Sequence, residues 1–163
     1  MLKKLVLALV LLVVAIVAVN YLAFSPRFEY RIEREMAAQP EAIIAAFKDL
    51  ETWEDWSPWS KKKHPNDGAQ FTYQGEPGSG MTWTWSGGKE LGDGSLTIMR
   101  VTPGAVDYAF SMQEPVAMEI DAGIELSAAG QKTLVVWWSK GEQDMPGIGR
   151  IMNKVFAGQV KQD

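Results

Sequence analysis

The first apolar segment of the chain is a continuous run without helical or strand periodicity. No charged residue occurs from Leu5 to Phe24, and about 20 residues in a helix span roughly 30 Å, the thickness of a bilayer core. We therefore predict a membrane anchor in residues 1–24 and a soluble domain in residues 25–163. A cleaved signal peptide is the alternative, but its apolar region is usually shorter and the cleavage pattern here is weak.

Beyond the anchor, the pattern shows first the period of a strand and then that of a helix. Residues 28–35, "FEYRIERE", alternate along the chain, which predicts a strand. After Pro40, apolar residues from Ile43 to Leu50, and then Trp53, follow the i, i+3, i+4, i+7 spacing of an amphipathic helix. This predicted helix ends before the next proline, because a residue that precedes proline disfavours the α conformation.

From residue 69 onward, alternating segments are separated by turns that contain glycine or proline. Such segments are typical of antiparallel strands joined by hairpins. Apolar positions at helical spacing from Ile148 to Phe156 predict one further helix. The complete order predicts an α+β fold, in which an antiparallel sheet of about seven strands curls around the C-terminal helix. The predicted strands after residue 69 are 69–74, 81–86, a short one at 89–91, 95–101, 105–113, 116–128 and 132–142.

Alternation also assigns faces to these strands. One face, directed toward the last helix, is predicted to hold Trp83, Trp85, Tyr108, Phe110, Met118 and Ile120. The other face, directed toward solvent, is predicted to hold Thr82, Thr84, Asp107, Glu119 and Asp121. The run from Val135 to Trp138 is apolar at every position, so its faces are not assigned by the pattern.

Charge and cysteine content narrow the possible functions. Without the anchor's Lys3 and Lys4, 14 basic residues face 20 acidic ones, a net charge of −6, which argues against a nucleic-acid partner. The absence of cysteine excludes disulfides, thiol nucleophiles and a lipid-modified cysteine. His64 is the only histidine and follows three lysines, and we interpret this stretch as a solvated loop. We expect no metal and no cofactor.

No catalytic motif is recognisable. The glycine-rich pieces "GEPGSG" and "GGKELGDG" lack the P-loop and dinucleotide patterns and separate strands, so they are interpreted as hairpin turns. No G-x-S-x-G nucleophile motif is present. No residue is therefore assigned as catalytic.

Three stretches together carry a family resemblance: the helix exit "FKDLETWEDWSPW", the hairpin "WTWSGGKELGDGSLTI" and the helix "GRIMNKVFAG". They resemble the START-like or SRPBCC superfamily, in particular its membrane-anchored bacterial members described as polyketide cyclase/dehydrase-like. The resemblance covers roughly residues 28–163 and implies a helix-grip fold, with an apolar cavity between the sheet and the last helix. In relatives that helix is expected to continue well past Gly158, whereas this chain stops at Asp163. Either the helix is naturally short or the sequence is truncated, and in this chain the cavity would then be more open.

In such a cavity the ligand would contact inward aromatic, methionine and aliphatic side chains. The three tryptophans of "ETWEDWSPW" are open to two interpretations, as a seal for the end of the core or as part of the cavity mouth. Trp53 is expected to act as the seal. The predicted ligand-binding residues are Trp56, Trp59, Tyr73, Trp83, Trp85, Tyr108, Phe110, Met118, Ile120, Trp138, Met152 and Phe156.

Three classes of function remain open. The favoured one is a membrane-tethered domain that binds a hydrophobic small molecule or lipid. An enzyme of cyclase, dehydrase or hydrolase type would need inward polar groups, for which Arg100, Glu114, Tyr108 and Tyr73 are the candidates. The third class is an envelope interaction protein with a filled core. We expect a monomer, anchored once in the cytoplasmic membrane with its domain on the extracytoplasmic side, because short basic N-termini usually remain in the cytoplasm.

Overall fold

The structure, a computed structural model, describes residues 2–23, 25–113 and 117–142. It divides into two units, of which one contains the N-terminal helix and the other comprises residues 29–141. The N-terminal helix α1 (Leu2–Ala23) is long and apolar enough to cross a membrane. An N-terminal helix of this kind fits either a single-pass anchor or a signal sequence.

A seven-stranded antiparallel sheet forms most of the second unit, as the alternating pattern predicts. The strands lie in the spatial order β1-β7-β6-β5-β4-β3-β2, so that β1 and β2 are the two edges. In chain order they are β1 (Arg27–Met36), β2 (Gln70–Gln74), β3 (Thr82–Ser86), β4 (Gly94–Thr102), β5 (Ala105–Met112), β6 (Met118–Ala129) and β7 (Lys132–Glu142).

The strand register places the large apolar side chains in rows across one face, which we call the inner face. One such row crosses five strands and consists of Tyr73, Trp83, Leu96, Phe110 and Ile120. On the opposite, outer face the neighbouring row carries hydroxyl and carboxylate groups. The predicted faces are confirmed where the burial is clearest, since Trp83 and Trp85 are buried, whereas Glu119 and Asp121 are exposed.

The prediction of a single amphipathic helix after Pro40 is wrong in one respect, because the structure has two helical segments there. Helix α2 (Pro40–Lys48) begins with proline at its first turn, and a 3₁₀ segment (Leu50–Asp55) follows it. The chain leaves the helical conformation at Asp49, with φ −110° and ψ 102°. The Asp49 carboxylate accepts a hydrogen bond of 3.1 Å from the backbone N–H of Glu51, so this residue ends one segment and caps the next.

The short strand predicted at residues 89–91 is also wrong. The backbone N–H of Glu90 donates to the carboxylate of Asp67, and that of Lys89 donates to the Asp67 carbonyl oxygen. These donors are therefore bound to a loop residue, and no strand forms there. The helix predicted at residues 148–156 lies outside the described residues.

The core lies between the inner face and the two short helical segments. Ile43 and Ile44 of α2 and Leu50 of the 3₁₀ segment are buried against residues of β3 to β6. Burying such side chains removes their apolar area from water and is the main source of stability. The helical segments thus cover part of the inner face, and the cavities described below lie beside them.

Candidate ligand-binding site

The site is built around a cluster of aromatic rings at the junction of α2, the 3₁₀ segment and the sheet. Phe47, near the end of α2, contacts the rings of Trp53, Trp56 and Trp137, with centroid separations of 5.6, 5.3 and 5.4 Å. Trp53 also meets the ring of Tyr108 edge to face at 5.2 Å and 88°. Edge-to-face geometry is the arrangement that aromatic pairs favour. The cluster is therefore a packed layer that fixes the position of each ring.

One cavity, which we call the large cavity, lies between α2 and the strands β1 and β7. Its volume is about 530 Å³, within the range of small-molecule sites. Among the described residues that line it, the exposed Arg34 is the only charged one. The lining residues are Ile32, Arg34, Met36, Ala38, Ala42, Ile43, Ala46, Phe47, Trp56, Val135 and Trp137.

A second cavity, which we call the small cavity, lies between the 3₁₀ segment with its following loop and strands β4 to β7. Its volume is about 310 Å³. No charged side chain is among its described lining residues, whose polar groups are two serine hydroxyls, tryptophan N–H groups and one phenol. The lining residues are Trp53, Trp56, Ser57, Pro58, Trp59, Leu96, Tyr108, Phe110, Ile120, Ala122, Trp137 and Ser139.

Two tryptophans belong to the lining of both cavities. The rings of Trp56 and Trp137 meet nearly perpendicularly, at 81° and 6.1 Å between centroids. They are exposed by 38% and 36%, in contrast to the neighbouring Trp53, which is exposed by 3%. This pair therefore forms the wall that the two cavities share.

The phenol of Tyr108 is a buried polar group in the lining of the small cavity, and its side chain is exposed by only 7%. Its oxygen accepts a hydrogen bond of 2.9 Å from the indole N–H of Trp137. Burial raises the pKa of Tyr108 to about 12, and the hydrogen bond from Trp137 opposes that rise. The phenol is consequently neutral at physiological pH and retains its proton for donation.

The loop after the 3₁₀ segment carries the third tryptophan of the sequence motif. The backbone N–H of Ser57 donates to the Trp53 carbonyl oxygen at 2.8 Å, and that of Trp59 donates to the Ser57 hydroxyl at 3.3 Å. The ring of Trp59 then packs on Phe110 at 4.9 Å. A His64 ring nitrogen lies 2.9 Å from the Pro58 carbonyl oxygen, so the histidine supports the loop.

The structure places ten of the twelve predicted ligand-binding residues, in three environments. Five of them line the small cavity: Trp56, Trp59, Tyr108, Phe110 and Ile120. Four others pack in or against the core without lining either cavity: Tyr73, Trp83, Trp85 and Met118. Trp138 lies on the outer face, where the Lys140 ammonium sits 5.7 Å from its ring. Met152 and Phe156 lie outside the described residues.

Sequence reasoning missed most of the large cavity. Its walls come from β1 and from the alanines of α2, which are small and give no pattern of their own. It also missed Trp137, the neighbour of the predicted Trp138. In the structure Trp137 shares the inner face with Thr133 and Val135, which are buried, but the uninterrupted apolar run from Val135 to Trp138 gives no sequence signal for this face.

The groups that an enzyme would need are mostly elsewhere. Arg100 pairs with Asp107 on the outer face at 2.6 Å, and the Tyr73 hydroxyl donates to Glu54 at 2.7 Å. Glu114 lies outside the described residues. Of the three candidates that the structure describes, Tyr108 alone lines one of the two cavities. Within the described ranges, no group of three or more histidine, cysteine or acidic residues is placed to hold a metal ion.

No protein-family model matches the chain, and no curated protein matches it. Several solved structures, however, are similar to this chain in fold. The Mll3558 protein from Rhizobium loti is 19% identical, with a TM-score of 0.53 over 83% of this chain and 93% of its own. Norcoclaurine synthase from Thalictrum flavum is 10% identical, with a TM-score of 0.54 over 86% and 90%. Ara h 8.0201 is 15% identical, with a TM-score of 0.51 over 84% and 99%.

These similarities define the class of fold. The seven-stranded antiparallel sheet with its helical segments is a helix-grip fold, the fold that the resemblance to the START-like or SRPBCC superfamily implies. The resemblance stated from the sequence is confirmed at this level. Fold alone does not determine activity, so the function is argued from the cavities.

Proposed function

We propose that this chain is a membrane-tethered domain that binds a hydrophobic small molecule or lipid on the inner face of its sheet. The large cavity carries this proposal, because its volume of about 530 Å³ and its almost entirely apolar lining fit an apolar ligand. The adjoining small cavity extends the available apolar surface. Helix α1 would keep the domain beside a membrane, which is a source of such ligands.

An enzyme acting on an apolar substrate in the same place is the second candidate. The only observation that favours it is the neutral phenol of Tyr108 in the lining of the small cavity. General acid or base catalysis at neutral pH works best with a group whose pKa lies near 7. A phenol that holds its proton this firmly is better suited to hydrogen bonding, so binding remains the proposal.

Helix α2 offers a matched pair of variants for the test. Ala46 lines the large cavity, whereas Ala45, also exposed on the same helix, does not. Ala46→Trp would fill the cavity with a ring, and Ala45→Trp would add the same ring outside it. Both alanines are in the interior of one helix, so the cost of each substitution in helix propensity is the same.

The full chain in phospholipid vesicles is exposed to a photoreactive long-chain alkyl diazirine, and the labelled peptides are mapped by mass spectrometry. We expect labelling of β7 and α2 in the unmodified chain, a severalfold loss in Ala46→Trp and no loss in Ala45→Trp. Labelling confined to α1 would instead support the third class, an interaction protein whose domain binds no apolar ligand.

A further inference from the structure

The small cavity adds a statement about the chemistry of the ligand. We propose that the ligand carries a neutral hydrogen-bond acceptor, such as a ketone, ester or amide carbonyl, that receives the Tyr108 hydroxyl proton, while its apolar part lies in the large cavity. This inference rests on the proposed function and names the ligand class of the same site. The structure supports it through the hydrogen-bonding capacity of Tyr108, the absence of charged side chains among the described residues that line the small cavity, and the two tryptophans that line both cavities.

The first support is the unused donor of Tyr108. A phenol has one donor and an acceptor oxygen, and Trp137 uses only the oxygen. Among the described residues, the Tyr108 hydroxyl has no acceptor for its own proton. The side chain is exposed by only 7%, and a buried donor without a partner is costly. A ligand acceptor in the small cavity would satisfy it.

The second support is the charge of the lining. The described lining of the small cavity has no Lys, Arg, His, Asp or Glu. A charged headgroup there would lose its hydration without an opposite charge to compensate, at a large cost in free energy. A neutral carbonyl has a far smaller desolvation cost, and a hydrogen bond from Tyr108 offsets it. The small cavity therefore favours a neutral polar group over a carboxylate, a phosphate or an ammonium.

The third support is that the two cavities share the side chains of Trp56 and Trp137. A single molecule with a polar end and an apolar body can occupy both by lying along this wall. The large cavity has aliphatic walls from β1, α2 and β7, which fit the apolar body. The ring of Trp53 packs edge to face on Tyr108 at 5.2 Å, and a less polar surrounding strengthens a hydrogen bond.

The test compares two photoreactive probes of equal chain length, a long-chain methyl ketone and the corresponding hydrocarbon, with the full chain in phosphatidylcholine vesicles. We expect the ketone to label the segments around β5, β7 and the 3₁₀ segment about three- to tenfold more than the hydrocarbon, the factor that one neutral hydrogen bond supplies. Tyr108→Phe should reduce this ratio to about one and leave hydrocarbon labelling unchanged. Tyr73→Phe is the matched control, because its hydroxyl donates to Glu54 and lies outside both linings, and it should keep the ratio.

A second measurement uses the unmodified chain and so does not depend on the folding of Tyr108→Phe. Infrared spectra of the ketone with a ¹³C carbonyl should show a shift to lower frequency on binding to the unmodified chain, because a hydrogen bond weakens the C=O bond. An unshifted band, or a ketone preference that survives Tyr108→Phe, would overturn the inference. A carboxylate probe that outcompetes the ketone and depends on Arg34, tested with Arg34→Gln, would do the same.

The outcomes separate this inference from the proposed function. If neither probe labels the cavity segments, the proposed function itself fails. If both label them equally, the apolar site stands and only the role of Tyr108 is removed.

Discussion

The indole N–H of Trp137 on β7 donates to the phenolic oxygen of Tyr108 on β5, although β6 lies between these two strands. The residue of β6 opposite Tyr108 is Ala122, which is buried. Its methyl group is small enough to leave space above β6 for the two larger side chains to meet. The hydrogen bond thus depends on a small residue in the middle of the sheet.

Replacing this alanine should disturb both the hydrogen bond and the small cavity. We expect Ala122→Leu to lower the free energy of unfolding by about 1–3 kcal/mol, because the added carbons must be accommodated in a packed layer. Ala109→Leu is the control, since Ala109 is half-buried and sits in the outer-face row with Thr97 and Asp121. Denaturant unfolding of the full chain in nanodiscs measures both. Equal losses in the two variants would contradict the importance of Ala122.

The raised pKa of Tyr108 predicts a loss of stability at alkaline pH. In the unfolded chain a tyrosine ionises near its ordinary pKa of 10, whereas the folded phenol ionises at about 12. The stabilisation is therefore complete below pH 10 and falls as the pH rises from about 10 to 12, because the unfolded state releases its proton first. Unfolding measured from pH 8 to 11 should show a shallower decline in Tyr108→Phe. An unchanged slope would show that other groups cause the decline.

Gly94 at the start of β4 is predicted to be intolerant of any side chain. A Cβ at this position would lie 2.3 Å from a ring carbon of Trp85 and 2.9 Å from the Ser111 carbonyl oxygen. Gly94→Ala should therefore destabilise the sheet by about 1–3 kcal/mol or more. Gly104 is the control, because the nearest atom to its Cβ would be 3.7 Å away. Thermal unfolding of the two alanine variants tests the contrast, and similar melting temperatures would refute it.

The sequence predicts most of the sheet because most of its strands alternate apolar and polar residues, a period of two that is visible without any tertiary information. The assignment of side chains to the two faces of the sheet is not possible where that period is absent. Four consecutive apolar residues end in Trp137 and Trp138, and only the three-dimensional sheet decides that the first of these faces the cavities and the second the outer surface.

The positions of the cavities are harder to predict from the sequence. Their walls combine Ile32, Ala46 and Val135, which are far apart in the chain and individually unremarkable. The break at Asp49 was equally hidden, because the apolar spacing continues through it from Phe47 to Leu50 while the carboxylate caps the next segment. Cavities arise where packing is incomplete, and a residue pattern describes only what is packed.

The location of the domain is a further prediction. The basic start of the chain and the uncharged helix favour an N-terminus in the cytoplasm and a domain that remains attached on the outer side. Protease added to intact spheroplasts should then digest the domain, and the mature protein should retain its first residues. A protected domain, or a mature N-terminus near Val19, would contradict the assignment.

In the "ETWEDWSPW" stretch, we expect Trp53 to contribute more to stability and Trp59 more to ligand binding. Trp53 is almost fully buried, donates its indole N–H to the Phe47 carbonyl oxygen at 3.2 Å and packs on Tyr108. Trp53→Ala should therefore lower the free energy of unfolding by about 3–5 kcal/mol, through the lost contacts and the void that it leaves. Trp59 is only partly buried and has its main ring contact with Phe110 at the small cavity. Trp59→Ala should cost about 1–2 kcal/mol, because less apolar area is lost.

Binding should show the reverse order. Removal of the Trp59 ring takes away one wall of the small cavity, so the photoreactive ketone should label Trp59→Ala severalfold less at temperatures where the variant is fully folded. Trp53→Ala, compared at a temperature well below its own unfolding transition, should retain more of the labelling because most of both linings remains. Thermal unfolding and labelling measured side by side on the full chain decide the matter. If the two variants lose the same stability and neither loses labelling, Trp59 has no role in binding, and the rings of Trp53 and Trp59 serve only to seal the core.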